Sequence, residues 1–332
     1  MSNTILESQP LGFPWPCLDP FLFCAWHNDR FPDGNKDLGP ATSLEGRDLG
    51  QDFAFKDGWN MYHGSTVPGF PSHPHRGFET VTVVREGLMD HADSLGASAR
   101  FGQGDAQWLT TGAGIVHSEM FPLVRKKGGN PTELFQIWLN LPADRKMAQP
   151  AFKMLWAEKQ PRLKGENSEL TLVAGRLDGH EAPAPPPDSY ASRPGSDVLI
   201  AVLVVRAGGR YRLPAGPAGV NRCLYLYHGD WSVNGVPQAS GQRLVVRPTD
   251  ALDLEAPQGG ELLILQGRPL GEPVVSQGPF VLNTRQQLTQ AFEDYRRTGF
   301  GDWPWGRNDP VHAAGRGRFA RYPDGREEEP AP

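Results

Sequence analysis

Short runs of alternating apolar and polar residues, each soon closed by Gly, Pro or Asn-Gly, recur along most of this chain. That rhythm leaves room for strands and little else. Residues 78–84, FETVTVV, alternate around β-branched positions and stop at Glu86-Gly87, and the next pieces break at Gly96, Gly102 and Gly104. A strand turns successive side chains to opposite faces, so such runs suit a half-buried sheet, whereas a helix needs an unbroken 3.6-residue period. Residues 133–141, ELFQIWLNL, carry the pattern to a connection flanked by Pro142 and Pro150, where a first domain is expected to end. The 39 glycines and 32 prolines supply the turns.

Residues 181–197, EAPAPPPDSYASRPGSD, are Pro-rich, which disfavours helix and central strand and predicts an exposed loop. Beyond it VLIAVLVVRAG, NRCLYLYHGDWSVNG, RLVVRPTDALDLEA and ELLILQG repeat the strand-turn rhythm. The expected fold class is therefore all-β, with one barrel in residues 1–145, a second in 146–305 and a tail in 306–332. Residues 1–60 read as irregular, with short strands. One helix is predicted from an N-cap at Thr284 through Arg297, with Leu288, Ala291, Phe292 and Tyr295 at helical spacing. The segment after Gly301 is either packed by Trp303 and Trp305 or loose.

Lys+Arg 33 against Asp+Glu 38 gives a formal net charge of -5 without a basic stripe, which argues against direct nucleic-acid binding. The N-terminal residues MSNTILESQPLGFPWP show no basic segment followed by an apolar run, and no stretch reaches the roughly 18 apolar residues of a membrane span. A cytoplasmic protein without a membrane partner is expected. Cys17, Cys24 and Cys223 fit neither a disulfide framework nor paired zinc motifs, and are read as reduced thiols.

The chemistry concentrates in two short motifs. His73-Pro74-His75 is an H-x-H pair, and alternate residues of an extended backbone share a face, so both imidazoles can reach one ion. Forty-two residues after His75 stands His117-Ser118-Glu119, with the same spacing. Three imidazoles with a carboxylate suit Fe(II), Mn(II), Co(II), Ni(II), Cu(II) or Zn(II), and the absence of thiolates argues against a structural zinc site. Glu79, four residues after His75, competes with Glu119 for the fourth position. His27, His63, His91, His180, His228 and His312 lack a same-face partner, as an ordinary buried or solvent-facing histidine does, although His63 and His91 are the best placed to line a pocket. Phe78, Trp108 and Phe121 are candidates for its apolar wall or for barrel core, and Arg76 for a supporting contact or a surface charge.

The segments HPHRGFETVTVVREG, HADSLG and GDAQWLTTGAGIVHSE, with ELFQIWLNLP, GPFVLNTRQQLTQAFEDYRRTGFG and DPFLF, resemble the pirin family of the cupin superfamily over most of residues 15–305. The resemblance implies a bicupin: two cupin-type antiparallel β-barrels of jelly-roll form with a short C-terminal helix. It also implies one iron in the N-terminal barrel, with ligands falling on His73, His75, His117 and Glu119, no ligand role for Glu79, and no metal in the C-terminal barrel. The chain departs from the family after DPFLF, where CAWHNDRFPDGN stands, and in the Pro-rich loop. The activity implied is a quercetin 2,3-dioxygenase acting on a small aromatic substrate, with Glu119 as the catalytic proton acceptor. The alternative implied is a non-enzymatic, redox-sensitive iron protein that docks a regulatory protein partner. A shared fold does not choose between these.

Overall fold

The computed structural model describes residues 4–331. Its longer strands begin with β1 (Ile5–Pro10), β2 (Phe21–Phe31), β3 (Gly69–His75), β4 (Phe78–Glu86), β5 (Leu88–Asp93) and β6 (Ser98–Gly102). They continue with β7 (Ala106–Thr110), β8 (Ile115–Met120), β9 (Asn130–Asn140), β10 (Ala151–Leu155), β11 (Arg162–Ala174) and β12 (Leu199–Leu213). Next come β13 (Asn221–His228), β14 (Gln242–Val246), β15 (Leu252–Ala256), β16 (Gly260–Gly267), the helix α1 (Arg285–Thr298) and β17 (Phe319–Arg321).

The chain forms two compact units that interleave along the sequence. One takes residues 26–136, 143–158 and 272–331, the other residues 4–25, 137–142 and 159–271. The expected spans of 1–145 and 146–305 with a separate tail do not anticipate this, because strand pairing re-sorts both chain ends. At the N-terminus β1 pairs antiparallel with β14, Gln9 opposite Arg243. At the C-terminus β17 pairs with β6, Phe319 opposite Arg100.

In the first of these units one sheet runs β10-β7-β4, then residues 130–136 of β9 and 26–31 of β2, and the other runs β17-β6-β5-β8-β3. Both sheets contribute to one core, in which Phe31, Val84, Phe101, Phe121, Leu134 and Trp156 are all buried. Each such side chain contributes roughly 2–3 kcal/mol by leaving water. The β4 segment, read as half-buried, is buried on both faces from Phe78 to Val84. Its threonines therefore sit inside the barrel rather than in solvent, and Thr82 serves the site described below. Residues 1–60 are also less irregular than expected, since the residues following DPFLF extend the eleven-residue β2.

The helix conforms to expectation. The Thr284 side chain accepts from the Gln287 amide at its N-terminus in a capping box, Gly299 closes it at φ 59°, and Leu288 and Ala291 are buried. The tail is packed rather than loose. Buried Arg100, paired with Asp90 at 2.7 Å, donates to the carbonyls of His312, Ala313 and Arg316, and the Trp305 indole donates to the Asp93 carbonyl at 2.9 Å.

In the other unit the sheet order is β1-β14-β13-β16-β12-β15, extended by the short strands Trp231–Val233 and Val236–Gln238, with β11 also on β12. An aliphatic core including Leu170, Leu203, Leu224, Leu244 and Ile264 fills it. The 181–197 loop is less exposed than its composition predicts: Tyr190 is buried and donates to the Arg268 carbonyl at 2.9 Å.

Candidate metal centre

Strands β3 and β8 lie antiparallel with His73 opposite His117 and His75 opposite Ile115. Gly69 opens β3 at φ +133°, and a Cβ there would meet the Glu119 carbonyl oxygen at 2.4 Å, so glycine permits this close pairing. The alternation of each strand turns His73, His75 and His117 inward together. Their ring centroids are 4.5 to 5.0 Å apart, and one ligand nitrogen from each lies within 4.8 Å of the others.

Hydrogen bonds prepare these rings as donors to a metal. The His73 Nδ1–H donates to the Pro71 carbonyl at 2.8 Å and the His75 Nδ1–H to the Pro279 carbonyl at 3.4 Å, tautomers inferred from the acceptors, which leaves Nε2 lone pairs for an ion. Both ring nitrogens of fully buried His117 make no hydrogen bond among the described residues. A buried polar atom without a partner costs about 1–3 kcal/mol, and a bound cation removes that cost. Burial pushes His73 down to about 4 and holds His75 and His117 well below the ordinary histidine value, so all three are neutral imidazoles at pH 7. The donor set therefore fits a divalent metal.

Glu119 extends from β8 two residues beyond His117, opposite His91 of β5. Its Oε2 lies 4.0 Å from His117 Nε2 and accepts from Gln136 Nε2 at 2.7 Å, while Thr82 Oγ1 lies 3.1 Å from its Oε1. Burial raises its pKa, opposed by His91 and these hydrogen bonds. Glu79 is placed elsewhere: its Oε2 accepts from Trp108 Nε1 and Thr110 Oγ1, both at 2.8 Å, on the β4-β7 pair. Trp108 is thus core beneath Glu79, while the Phe78 ring stands 5.1 Å from that of His75. Phe121 packs on Phe70 and Tyr62.

Residues 37–139 match the Pirin family model, and residues 200–301 match that of the Pirin C-terminal cupin domain. A Pseudomonas aeruginosa protein named "Putative quercetin 2,3-dioxygenase" is 39% identical over 234 residues, 69% of this chain and 79% of that protein. The chain belongs to the pirin family. Pirin of Homo sapiens is 31% identical over 252 residues, 73% of this chain and 81% of the human protein. A crystal structure of quercetin 2,3-dioxygenase from Acinetobacter baumannii superposes with a TM-score of 0.72 at 24% identity, covering 90% of this chain and 98% of that one, which shows the shared fold. This pirin is accordingly a bicupin with two antiparallel β-barrel domains. The pirin relatives and the three-histidine cluster together point to a divalent metal.

Of the residues that shape the pirin site, His91 stands where the sequence reading expects a pocket-lining histidine, whereas Thr82 and Gln136 carry no signal of their own. His91, buried beside His117, stacks on Phe152 at 4.9 Å, and its Nε2 lies 3.1 Å from Asp93 Oδ2 and its Nδ1 2.9 Å from Gln107 Nε2. Thr82 and Gln136 each stand alone in the sequence and meet only through folding. The 279–301 segment also reaches back: Arg76, buried, takes the Pro279 carbonyl on its amide and Asp294 on its guanidinium at 2.8 Å, with the Phe300 ring 4.4 Å beneath. Arg76 thus anchors the strand next to His75 rather than standing as a surface charge.

Proposed function

We propose that this pirin is a metal-dependent dioxygenase that acts on flavonol-type substrates such as quercetin through one iron held by His73, His75, His117 and Glu119. The observation that carries the reading is the convergence of three neutral imidazoles beside a carboxylate held by Thr82 and Gln136. Relatives at 39% and 35% identity, both named "Putative quercetin 2,3-dioxygenase", support the substrate class. When bound, the metal supplies Lewis acidity and a redox partner for dioxygen.

The protein's own groups do the rest. Glu119 accepts the proton of the flavonol hydroxyl, and Gln136 and Thr82 hold its carboxylate in position for that transfer. Phe78 and the His91–Phe152 stack keep water from the buried side of the three histidines. A cytoplasmic setting belongs to this reading and is supported by three cysteines that stand as free thiols.

The test is metal analysis of protein purified without added metal, then oxygen uptake with quercetin after loading with ferrous ion and, in parallel, with Ni, Mn, Co, Cu and Zn. Flavonol-dependent uptake with a stoichiometric metal establishes the activity. Bound metal without uptake favours the redox-sensitive regulator with a protein partner, and failure to bind any of the metals overturns the site.

A further inference from the structure

Residues 47–58 form an irregular loop that is built to stay in one shape. Arg47 and Asp52 pair at 2.8 Å with side chains 1% and 2% exposed, and the Arg47 guanidinium lies 3.2 Å over the Trp59 ring. Arg47 also donates to the carbonyls of Trp59 and Lys56, and Asp52 exchanges both backbone hydrogen bonds with Tyr62. The His63 ring holds the Gly50 carbonyl at 2.7 Å. A buried ion pair carries a desolvation cost, and such pairs are weak stabilisers in themselves.

What this framework presents is an exposed aromatic surface. Phe53 and Phe55 are 47% and 52% exposed, so neither gains its full burial energy. Phe53 is also the outer member of a ladder of rings. Its ring stands 5.1 Å from exposed His63, His63 stands 5.7 Å from half-buried Phe70, and Phe70 stands 6.4 Å from His73, each crossing at 63 to 71°. His73 is the half-buried member of the three-histidine cluster, whose other two members are buried. The ladder therefore leads from the surface to the accessible side of the cluster, and edge-to-face rings at these spacings offer apolar faces to a flat guest.

We infer that Phe53, His63 and Phe70 form the specificity wall of this site and select a planar polyphenol by packing against its rings. The inference rests on the flavonol reading above. Phe53 and Phe70 contribute apolar contact, and His63, fixed by Gly50, adds a ring whose orientation is already set, so little side-chain freedom is lost on binding.

The experiment measures quercetin binding to the ferrous-loaded full chain under argon, where no turnover occurs, by absorbance titration, with metal content determined on every sample. Phe53→Ala is expected to raise the Kd about three- to tenfold with metal content unchanged, the loss of one aromatic packing contact. Phe55→Ala, exposed in the same loop but outside the ladder, is expected to leave the Kd unchanged. An unaltered Kd in Phe53→Ala, an equal loss in Phe55→Ala, or no quercetin binding by the parent protein overturns the wall. Admitting oxygen separates the two ideas: binding with the expected Phe53 effect but no oxygen uptake sinks the dioxygenase reading and leaves the wall standing.

Discussion

At the scale of single residues, Glu119 and His27 carry separable expectations. Glu119→Gln keeps the size and most of the hydrogen bonding of the carboxylate but removes its charge, so flavonol-dependent oxygen uptake should fall about 100-fold or more while part of the metal is retained. Uptake equal to the parent would remove Glu119 from the proton-accepting role. His27 is not one of the three clustered histidines; its ring stands 6.0 Å from that of Phe70, and its Nδ1 lies 2.8 Å from the Tyr62 hydroxyl, which donates in turn to Asp29 at 2.6 Å. Burial pushes His27 down to about 4 and Asp29 up to about 6. For His27 the unfolded chain takes up the proton first, so its stabilising effect is present above pH 6.5 and is lost as pH falls toward 4. Asp29 acts with the opposite sign, contributing most below its unfolded value and losing that contribution as pH rises through about 6. The difference in unfolding free energy between the parent and His27→Asn should therefore shrink, by on the order of 3 kcal/mol, from pH 7 to pH 4. A denaturant series giving a pH-independent difference would show that His27 is not held neutral.

At the scale of elements, the strand β3 that carries His73 and His75 depends on a partner far away in sequence. Arg76 joins it to Asp294 of α1, to the Ala113 carbonyl and to the Phe300 ring. Lys146 adds a second tie, donating to the carbonyls of Gly77 and Val281 at 2.7 and 3.1 Å. Arg76→Ala removes a buried guanidinium and its bonds to the Ala113 carbonyl and Asp294, which keeps Arg297 and Gln290, and should cost about 1–3 kcal/mol in denaturant unfolding. Arg76→Lys should recover only part of that, because an ammonium cannot span the carbonyl, the carboxylate and the ring together. Full recovery by lysine would mean that charge alone matters here. The H-x-H and H-x-E motifs marked β3 and β8 because a two-residue period survives in any strand context. The clamp left no such mark, since Arg76 and Asp294 are 218 positions apart and neither sits in a repeating pattern.

At the scale of the whole molecule, residues 302–331 are structural rather than appended. They bring β17 to β6, supply three carbonyls to Arg100 and place the Asn308 carbonyl on the amide of Ser72, the neighbour of His73. A chain ending at Gly301 should lose about 3–5 kcal/mol of stability, because the burial of Phe319, Ala320 and Tyr322 against the core is lost, and should hold an added metal more weakly, read as dissociation against a chelator. Unchanged unfolding and unchanged metal retention in the shortened chain would make the tail dispensable. No helix among the described residues is long and apolar enough to cross a membrane.

The sequence by itself determined the strand-rich architecture, the helix with its Thr284 cap, and the two motifs whose histidines meet, because turn chemistry, helix capping and strand alternation act over a few residues. Only the tertiary structure decided the interleaving of the two units, the removal of Glu79 to Trp108 and Thr110, the partners that hold Glu119, and the aromatic ladder from Phe53 to His73. Each of these depends on which strand edges and which distant side chains find one another, and pairing across long stretches of chain is selected by burial and hydrogen-bond satisfaction in three dimensions, which no local pattern encodes.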